Sequence, residues 1–361
     1  MARALRIFGA GIGILLAGVV GVVLWASSGR VPEDDLAQIR TYASAPDTTV
    51  PDTLTVTTYN IGYLSGMTNN EPVVRPDSLF RANMDQAVRF LRETSPHFVG
   101  LQEIDFGGAR VAHVHQLDTL ATRLGVPTAA QAVNWDERYL PFPYGRPAVN
   151  FGRTLSGQAI LSRMPIRRHV RNVLPRPPQP FYREIFYLDR LAQVAVVDLG
   201  GHPLALINVH LEAFHVGTRA EQARVVNALY RRLDRAGLPT LLLGDFNSRL
   251  EPDTASAETQ HAAADSTLRA LLTGTTLRPA VTARPGDPAH ATYPASAPTQ
   301  RIDYIFYPPR FFEATDARRW CGAPMPPSDH CAVTASLVPT SSVDEWPSHE
   351  AVPPLTVQAS E

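Results

Sequence analysis

The chain has no lysine. All 33 of its basic residues are arginines, so lysine-based aldolases and P-loop NTPases, which need a Schiff-base or Walker lysine, are excluded. Cysteine is almost as scarce. Cys321 and Cys331 are the only two, too few for a four-cysteine zinc site. An excess of charge is missing as well, because 33 basic and 34 acidic residues leave a net charge of −1. No whole-molecule basic field is present to gather nucleic acid, although a local basic groove remains open. What the chain does have is apolar material, 44% of 361 residues, enough for a sizeable core and incompatible with a disordered chain. Its 32 prolines point to long ordered loops.

After Arg3 and Arg6, residues Ile7 to Ala26 carry no charge. As a helix rising ~1.5 Å per residue, that run matches the ~30 Å hydrocarbon core of a bilayer. It exceeds the ~7–15 apolar residues of a signal peptide, yet Ala26-Ser27-Ser28 offers small residues for cleavage. Residues 1–28 therefore read as an N-terminal membrane anchor or a signal peptide, the anchor being preferred. Both readings hold Arg3 and Arg6 inside and put the remainder outside the cytoplasm, periplasmic or extracellular, and secreted if the signal is cleaved.

Residues 29–51 read as a polar linker. From Leu54 onward β-rich runs and amphipathic helices alternate. Helices are expected over Ser78–Thr94, His115–Leu124 and residues 219–235, and short strands over His97–Gln102, Thr240–Leu243, Ile302–Tyr307 and Ala332–Val338. Residues 191–199 and 204–209 form a hairpin turning at Gly200-Gly201, and Asn134–Thr154 reads as a loop. One α/β domain over 52–340 accommodates these elements, with 341–361 as a disordered tail.

Polar residues recur where buried strands end: Asn60, Glu103, His210, Asp245 with Asn247, Asp303, and Asp329 with His330. One such residue is an ordinary turn former. Six places carrying only carboxylates, carboxamides and imidazoles describe an assembled site. Glu103 is a hard oxygen ligand for Mg²⁺ or Mn²⁺, helped by Asn60 and Asp329. His210 and His330 can donate to a phosphate oxygen or manage a proton near neutral pH, and Asp303 can fix the tautomer of His330. Asp245 can take the proton of an attacking water while Asn247 holds a non-bridging oxygen. Together they describe metal-assisted attack of water on a phosphoester.

Six ordered segments carry a family resemblance: Thr58-Tyr59-Asn60, Gly100-Leu101-Gln102-Glu103, Asn208-Val209-His210-Leu211, Gly244-Asp245-Phe246-Asn247, Arg301-Ile302-Asp303-Tyr304 and Ser328-Asp329-His330. The chain resembles the endonuclease/exonuclease/phosphatase superfamily, which includes deoxyribonuclease I, abasic-site endonucleases, neutral sphingomyelinases and inositol polyphosphate 5-phosphatases. The resemblance implies a deoxyribonuclease I-like four-layer α/β/β/α sandwich with the site where the two sheets meet at one edge. It puts Asn60 and Glu103 on the metal side and His210, Asp245 and Asn247 at the scissile phosphate, with Asp303 behind His330. Whether Asp245 or the Asp303–His330 pair is the base stays open. So does the number of metals, Asp329 being the residue a second ion would use.

Gly157 to Ile166 (GQAILSRMPI) resembles a stretch of the sphingomyelinase-like and membrane-lipid branches, and reads as a core strand with its turn. Arg153, Arg146, Arg138 and Arg183, with Tyr144, Tyr139, Phe142 and Trp135, fall in two loops. Either they clamp a substrate, Arg153 and Tyr144 foremost, or they form a solvated arginine surface. His113 and His115 read as helix-surface residues, and Glu212 shares a strand face with His210. Cys321 and Cys331 either form a disulfide that pins the Ser328-Asp329-His330 loop or stay free, with Cys331 as a small buried residue. The expected enzyme is a membrane-tethered or exported metal-dependent phosphodiesterase or phosphatase acting on a phospholipid headgroup or small phosphodiester. A nuclease is the alternative, with nucleic acid as partner, and a non-enzymatic interaction module comes after it.

Overall fold

Strand alternation decides what this fold does with its side chains. In a strand, successive residues face opposite ways, and here even-numbered residues such as Leu54 and Val56, or Leu204 and Leu206, fill the space between two sheets. The computed structural model describes residues 2–357 except 48, 251–265, 283–286 and 323. In chain order the first half contains α1 (Ala2–Ala26), β1 (Ala37–Thr41), β2 (Leu54–Asn60), α2 (Asp77–Thr94), β3 (Phe98–Asp105), α3 (Gln116–Leu124), β4 (Thr128–Leu140), β5 (Gly152–Ser162) and β6 (Ile166–Val173). The second half contains α4 (Phe181–Glu184), β7 (Leu191–Leu199), β8 (His202–His210), α5 (Val216–Arg235), β9 (Thr240–Asp245), α6 (Thr267–Leu272), β10 (Arg278–Pro279), β11 (Asp303–Tyr307), β12 (Phe312–Trp320) and β13 (Ala332–Pro339).

One sheet has the order β1-β4-β5-β3-β2-β13-β12 and the other β10-β11-β9-β8-β7-β6. Their facing sides share a core of Leu54, Val56, Phe98, Ile160, Leu206, Leu243 and Ile305. Helices α2 and α3 cover the outside of the first sheet through Phe80, Val88, Leu91, Leu117 and Leu120. On the outside of the second, α5 and α6 pack through Val226, Leu229, Leu233 and Leu268 against Ile207 and Leu242. The result is the expected four-layer α/β/β/α sandwich. Asn208 stitches the sheets together: its Nδ2 donates to the Leu101 carbonyl at 3.1 Å and the Ala159 carbonyl at 3.2 Å. Gln102 Nε2 returns a bond to Asn208 Oδ1 at 2.6 Å.

Three expectations are corrected. The linker over 29–51 contains β1, which pairs antiparallel with β4 from Ala37↔Ala132 to Thr41↔Thr128; its alternating Ala37, Ile39 and Thr41 were masked by flanking polar residues. The loop expected over 134–154 is strand at both ends, since β4 runs to Leu140 and β5 starts at Gly152, and only 141–151 between them is loop. Its polar residues bond across the pair instead of turning. The tail is ordered to Val357: Trp346 joins Phe311 and Phe312 in the inter-sheet core, and Val352 and Leu355 join the core beneath α5. Three scattered apolar residues suffice to hold a segment whose proline and acid content suggested disorder. Residues 358–361 of that tail, and Met1 of the anchor, lie outside the described residues.

Helix α1 matches the anchor reading in length and composition. Arg3–Ala26 has a mean hydropathy of 2.6 and is exposed from Arg3 to Val22. Only its end touches the domain, where Ala26 packs with Leu140, Phe151 and Phe186.

Candidate active site

The inward faces of the strands end in the predicted residues. Along β2 the series Leu54, Val56, Thr58 leads to Asn60; along β8 Leu204, Leu206, Asn208 leads to His210; along β9 Leu241, Leu243 leads to Asp245. Strands β2 and β3 run parallel, as do β8 and β9 with His210 opposite Asp245, so these ends collect at one edge. Strand β11 delivers Asp303 directly opposite Asp245. Glu103 has the wrong parity for this face. The β3–β5 register slips between Leu101 and Ile104, and Glu103 takes a left-handed φ of 48°. That bulge turns its carboxylate into the cleft, a local strain of about 1–3 kcal/mol at the point where function needs it.

Asn60 Nδ2 lies 3.0 Å from Asp245 Oδ2 and 3.2 Å from Glu103 Oε1. His210 Nε2 is 3.5 Å from Asp245 Oδ2 and 3.8 Å from Glu103 Oε1. His330 Nδ1 meets Asp303 Oδ2 at 3.0 Å, and its Nε2 points to Asp245 Oδ2 at 3.7 Å. Asn247 closes a turn through its N–H to Asp245 Oδ1 at 2.9 Å, and its Nδ2 donates to the Leu211 carbonyl. Asn69, absent from the sequence reading, donates to Glu103 Oε2 at 2.9 Å and to Asp329 Oδ1 at 3.2 Å, bridging the two. Nothing in its polar loop context marked it. All eight core residues therefore meet in one cleft.

The charges sort by environment. Burial pushes His210 well below the usual imidazole range, reinforced by Arg190 and His330. Burial also pulls His330 down, but the carboxylates of Asp303, Asp245 and Asp329 outweigh it and hold the ring well above its ordinary value. Asp245 is pushed up to about 7, chiefly by burial, against the opposing pull of His330. Burial likewise raises Asp329.

These carboxylates have little cationic company. Among the described residues the ion-pair partners of Glu103 and Asp245 are the two imidazoles. Crowded hard oxygens of that kind suit a divalent cation. By distance alone Asp245, Asp303 and His330 form a group able to hold a metal. We favour Glu103 with Asn60 and Asp329 instead, because His330 is committed through Nδ1 to Asp303 and the surrounding carboxylates favour its protonated ring, which has no lone pair for an ion.

Arg190 was also missed. It is 5% exposed, its Nε and Nη1 make no hydrogen bond, and its Nε stands 3.6 Å from Glu212 Oε2. The hairpin register pairs its neighbour Leu191 with His210, so counting back from Gly200-Gly201 would have found it. Glu212 sits beside the site rather than in it, accepting from Tyr187 Oη at 2.6 Å and from the Phe214 N–H. His115 caps α3 by accepting from the Asp118 N–H, and His113 is exposed, as expected. Arg153 and Tyr144 are not brought into the cleft. Arg153 is spent on Asp136 and the Glu137 and Thr154 carbonyls, an internal demand its position between β4 and β5 creates. Tyr144 is 51% exposed beside Phe142. Cys321 and Cys331 form a disulfide directly behind His330, and the Gly157–Ile166 stretch is β5 and its turn.

The family model for the Endonuclease/Exonuclease/phosphatase family matches residues 57–330. Among solved structures, an endonuclease/exonuclease/phosphatase from Beutenbergia cavernae aligns at 21% identity over 80% of this chain and 72% of its own, with a TM-score of 0.57. Human Nocturnin's catalytic domain, solved with a sulfate anion, aligns at 16% identity over 87% of this chain and 100% of its own, TM-score 0.53. TDP2 from Caenorhabditis elegans aligns at 14% identity over 79% and 74%, TM-score 0.52. No curated protein matches the chain.

Proposed function

Because the chain belongs to the endonuclease/exonuclease/phosphatase family of phosphoester-hydrolysing enzymes, we propose that it is a membrane-anchored phosphodiesterase or phosphatase. Its substrate is a phospholipid headgroup or small phosphodiester, and it acts outside the cytoplasm. The observation that carries the hydrolytic reading is the convergence of both imidazoles on one carboxylate: His330 Nε2 stands 3.7 Å and His210 Nε2 3.5 Å from Asp245 Oδ2, with Asp303 Oδ2 3.0 Å from His330 Nδ1. Glu103, Asn60 and Asp329 would hold Mg²⁺ or Mn²⁺, which supplies positive charge to the phosphoryl oxygens. The neutral His210 and the protonated His330 each direct an N–H at the scissile phosphate, where charge accumulates as water attacks. Arg190, whose Nε and Nη1 make no hydrogen bond and whose Nε stands 3.6 Å from Glu212 Oε2, adds a third contact to a phosphoryl oxygen. The carboxylates around His330 favour its protonated ring, which has no lone pair to offer, and this supports Asp245 as the group that takes the water's proton. Asp303 orients His330 and Asn247 completes the oxygen contacts.

Anchoring rather than cleavage is supported by Ala26. Ala26 is 5% exposed and packs with Leu140, Phe151 and Phe186, so the end of α1 belongs to the domain's own packing.

Full-length protein assayed with Mn²⁺, Mg²⁺ or EDTA on bis-p-nitrophenyl phosphate, sphingomyelin and supercoiled DNA tests this reading. Asp245→Asn and His330→Ala are each expected to lower kcat by ~10²–10⁴, and Glu103→Gln to weaken Mn²⁺ binding in calorimetry by about 10–100-fold. Metal-dependent DNA nicking without lipid or small-diester turnover would replace it with the nuclease.

A further inference from the structure

The root of α1 is not surrounded by a polar surface. Ala26 and Val23 pack with Phe151, Phe142, Ile185 and Phe186, and aromatic residues continue outward from there into solvent. Phe142 meets Tyr144 edge-on at 5.9 Å. Tyr144 in turn lies within electrostatic reach of Tyr182 and Arg183, and Tyr182 is edge-on to Phe181 at 6.0 Å. Phe181 is 78% exposed, Tyr182 52% and Tyr144 51%. Arg146 and Arg183 are exposed among them, and Trp25, 51% exposed, stands at the end of the apolar helix itself.

Aromatic rings beside arginines, next to the point where an apolar helix leaves the domain, have the composition of a membrane–water interface belt. Soluble domains seldom leave such large rings exposed together without use. The patch also reaches the cleft: Phe186 leads to Tyr187, whose hydroxyl bonds Glu212, and Glu212 holds Arg190 beside His210.

We propose that this surface, formed by the 141–149 loop and α4, docks on the leaflet of the bilayer that α1 spans, and so holds the mouth of the cleft at the headgroup layer. Phe181, Tyr182 and Trp25 insert at the interface, while Arg146 and Arg183 meet anionic headgroups. A helix joined to the domain by a flexible tether would leave the domain free to turn. Here the joint is packed, and the Arg30 and Val31 N–H groups are held by Asp136 Oδ2 at 2.6 and 2.7 Å, so the spanning helix itself selects which face meets the membrane. The docking inference rests on the membrane-anchored reading above, and its lipid-substrate consequence rests on the hydrolytic one.

Full-length wild-type protein and the Phe181→Asp/Tyr182→Asp variant would be placed in nanodiscs of phosphatidylcholine with or without phosphatidylglycerol, with amide hydrogen exchange followed across residues 141–149. The wild type is expected to exchange about tenfold more slowly there than the variant, the difference growing with phosphatidylglycerol at low salt. Equal exchange in correctly folded wild type and variant would overturn the docking surface. In nanodiscs of the same lipids with sphingomyelin added, the variant should turn over the bilayer sphingomyelin about tenfold more slowly and soluble bis-p-nitrophenyl phosphate at the wild-type rate. Equal loss on both substrates would also overturn it. A wild type that hydrolyses neither substrate would refute the proposed activity, while the exchange comparison would still decide the docking.

Discussion

Glu137 illustrates how a single buried group sets a pH response away from the catalytic cleft. It lies on β4, 6% exposed, with Oε2 lacking a hydrogen bond. Burial first, and then the neighbouring Asp136, push its carboxyl up to about 8, with Arg176 and Arg153 opposing. Between the ordinary carboxylate value and pH 8 the folded protein therefore holds a proton that the unfolded chain has released. Stability contributed by the neutral form is present at low pH and is lost as pH rises through that window. Glu137→Gln is expected to flatten the fall in unfolding free energy between pH 5 and 8, by at most ~1.4 kcal/mol per pH unit. Urea denaturation of both proteins across that range checks it, and parallel curves would refute it. At this same scale the eight core site residues were legible in the sequence because each closes a buried run. Asn69 was not, since its chemistry depends on which distant carboxylates it reaches, and Arg190 could be found only by following the hairpin register to His210.

Close approach between neighbouring strands is the constraint at the level of elements. Gly244 in β9 has φ 144°, and a Cβ placed there would stand 2.0 Å from the Val209 carbonyl oxygen of β8. Two parallel strands that must hold His210 and Asp245 side by side leave that position no room. Gly244→Ala is expected to lower stability by ~2 kcal/mol or more through backbone strain and overpacking, read from its urea midpoint; an unchanged midpoint would refute the constraint. The long, periodic elements α2, α5, β7 and β8 were readable from sequence, as apolar spacing names the buried face directly. Strand β1, most of β4 and the bulge at Glu103 were not. Their residues are ordinary in composition, and only a partner strand makes them β-structure.

Across the whole molecule, the two cysteines join the end of β12 to the loop carrying Asp329 and His330. Cys331 is fully buried, and its N–H donates to the Thr292 carbonyl at 2.8 Å. Opening the bridge by Cys321→Ser should cost up to ~3 kcal/mol by freeing the unfolded loop, a fall in Tm of about 5–10 °C. Calorimetry with and without reductant checks the same quantity in the wild type, and an unchanged Tm in both would remove the bridge from the account of stability. What the amino-acid order determined by itself was the α/β class, the helix long and apolar enough to span a bilayer and the polar residues that gather in the cleft, because apolar period and residue type are local properties. Tertiary structure alone decided that Glu103 turns inward, that burial drives the His210 ring down while carboxylates hold the His330 ring up, that Arg153 is spent inside the sheet, and that the final turns after β13 are packed. Each of these depends on burial and on charges contributed by segments far apart in the chain, so none is a property of its own stretch of sequence.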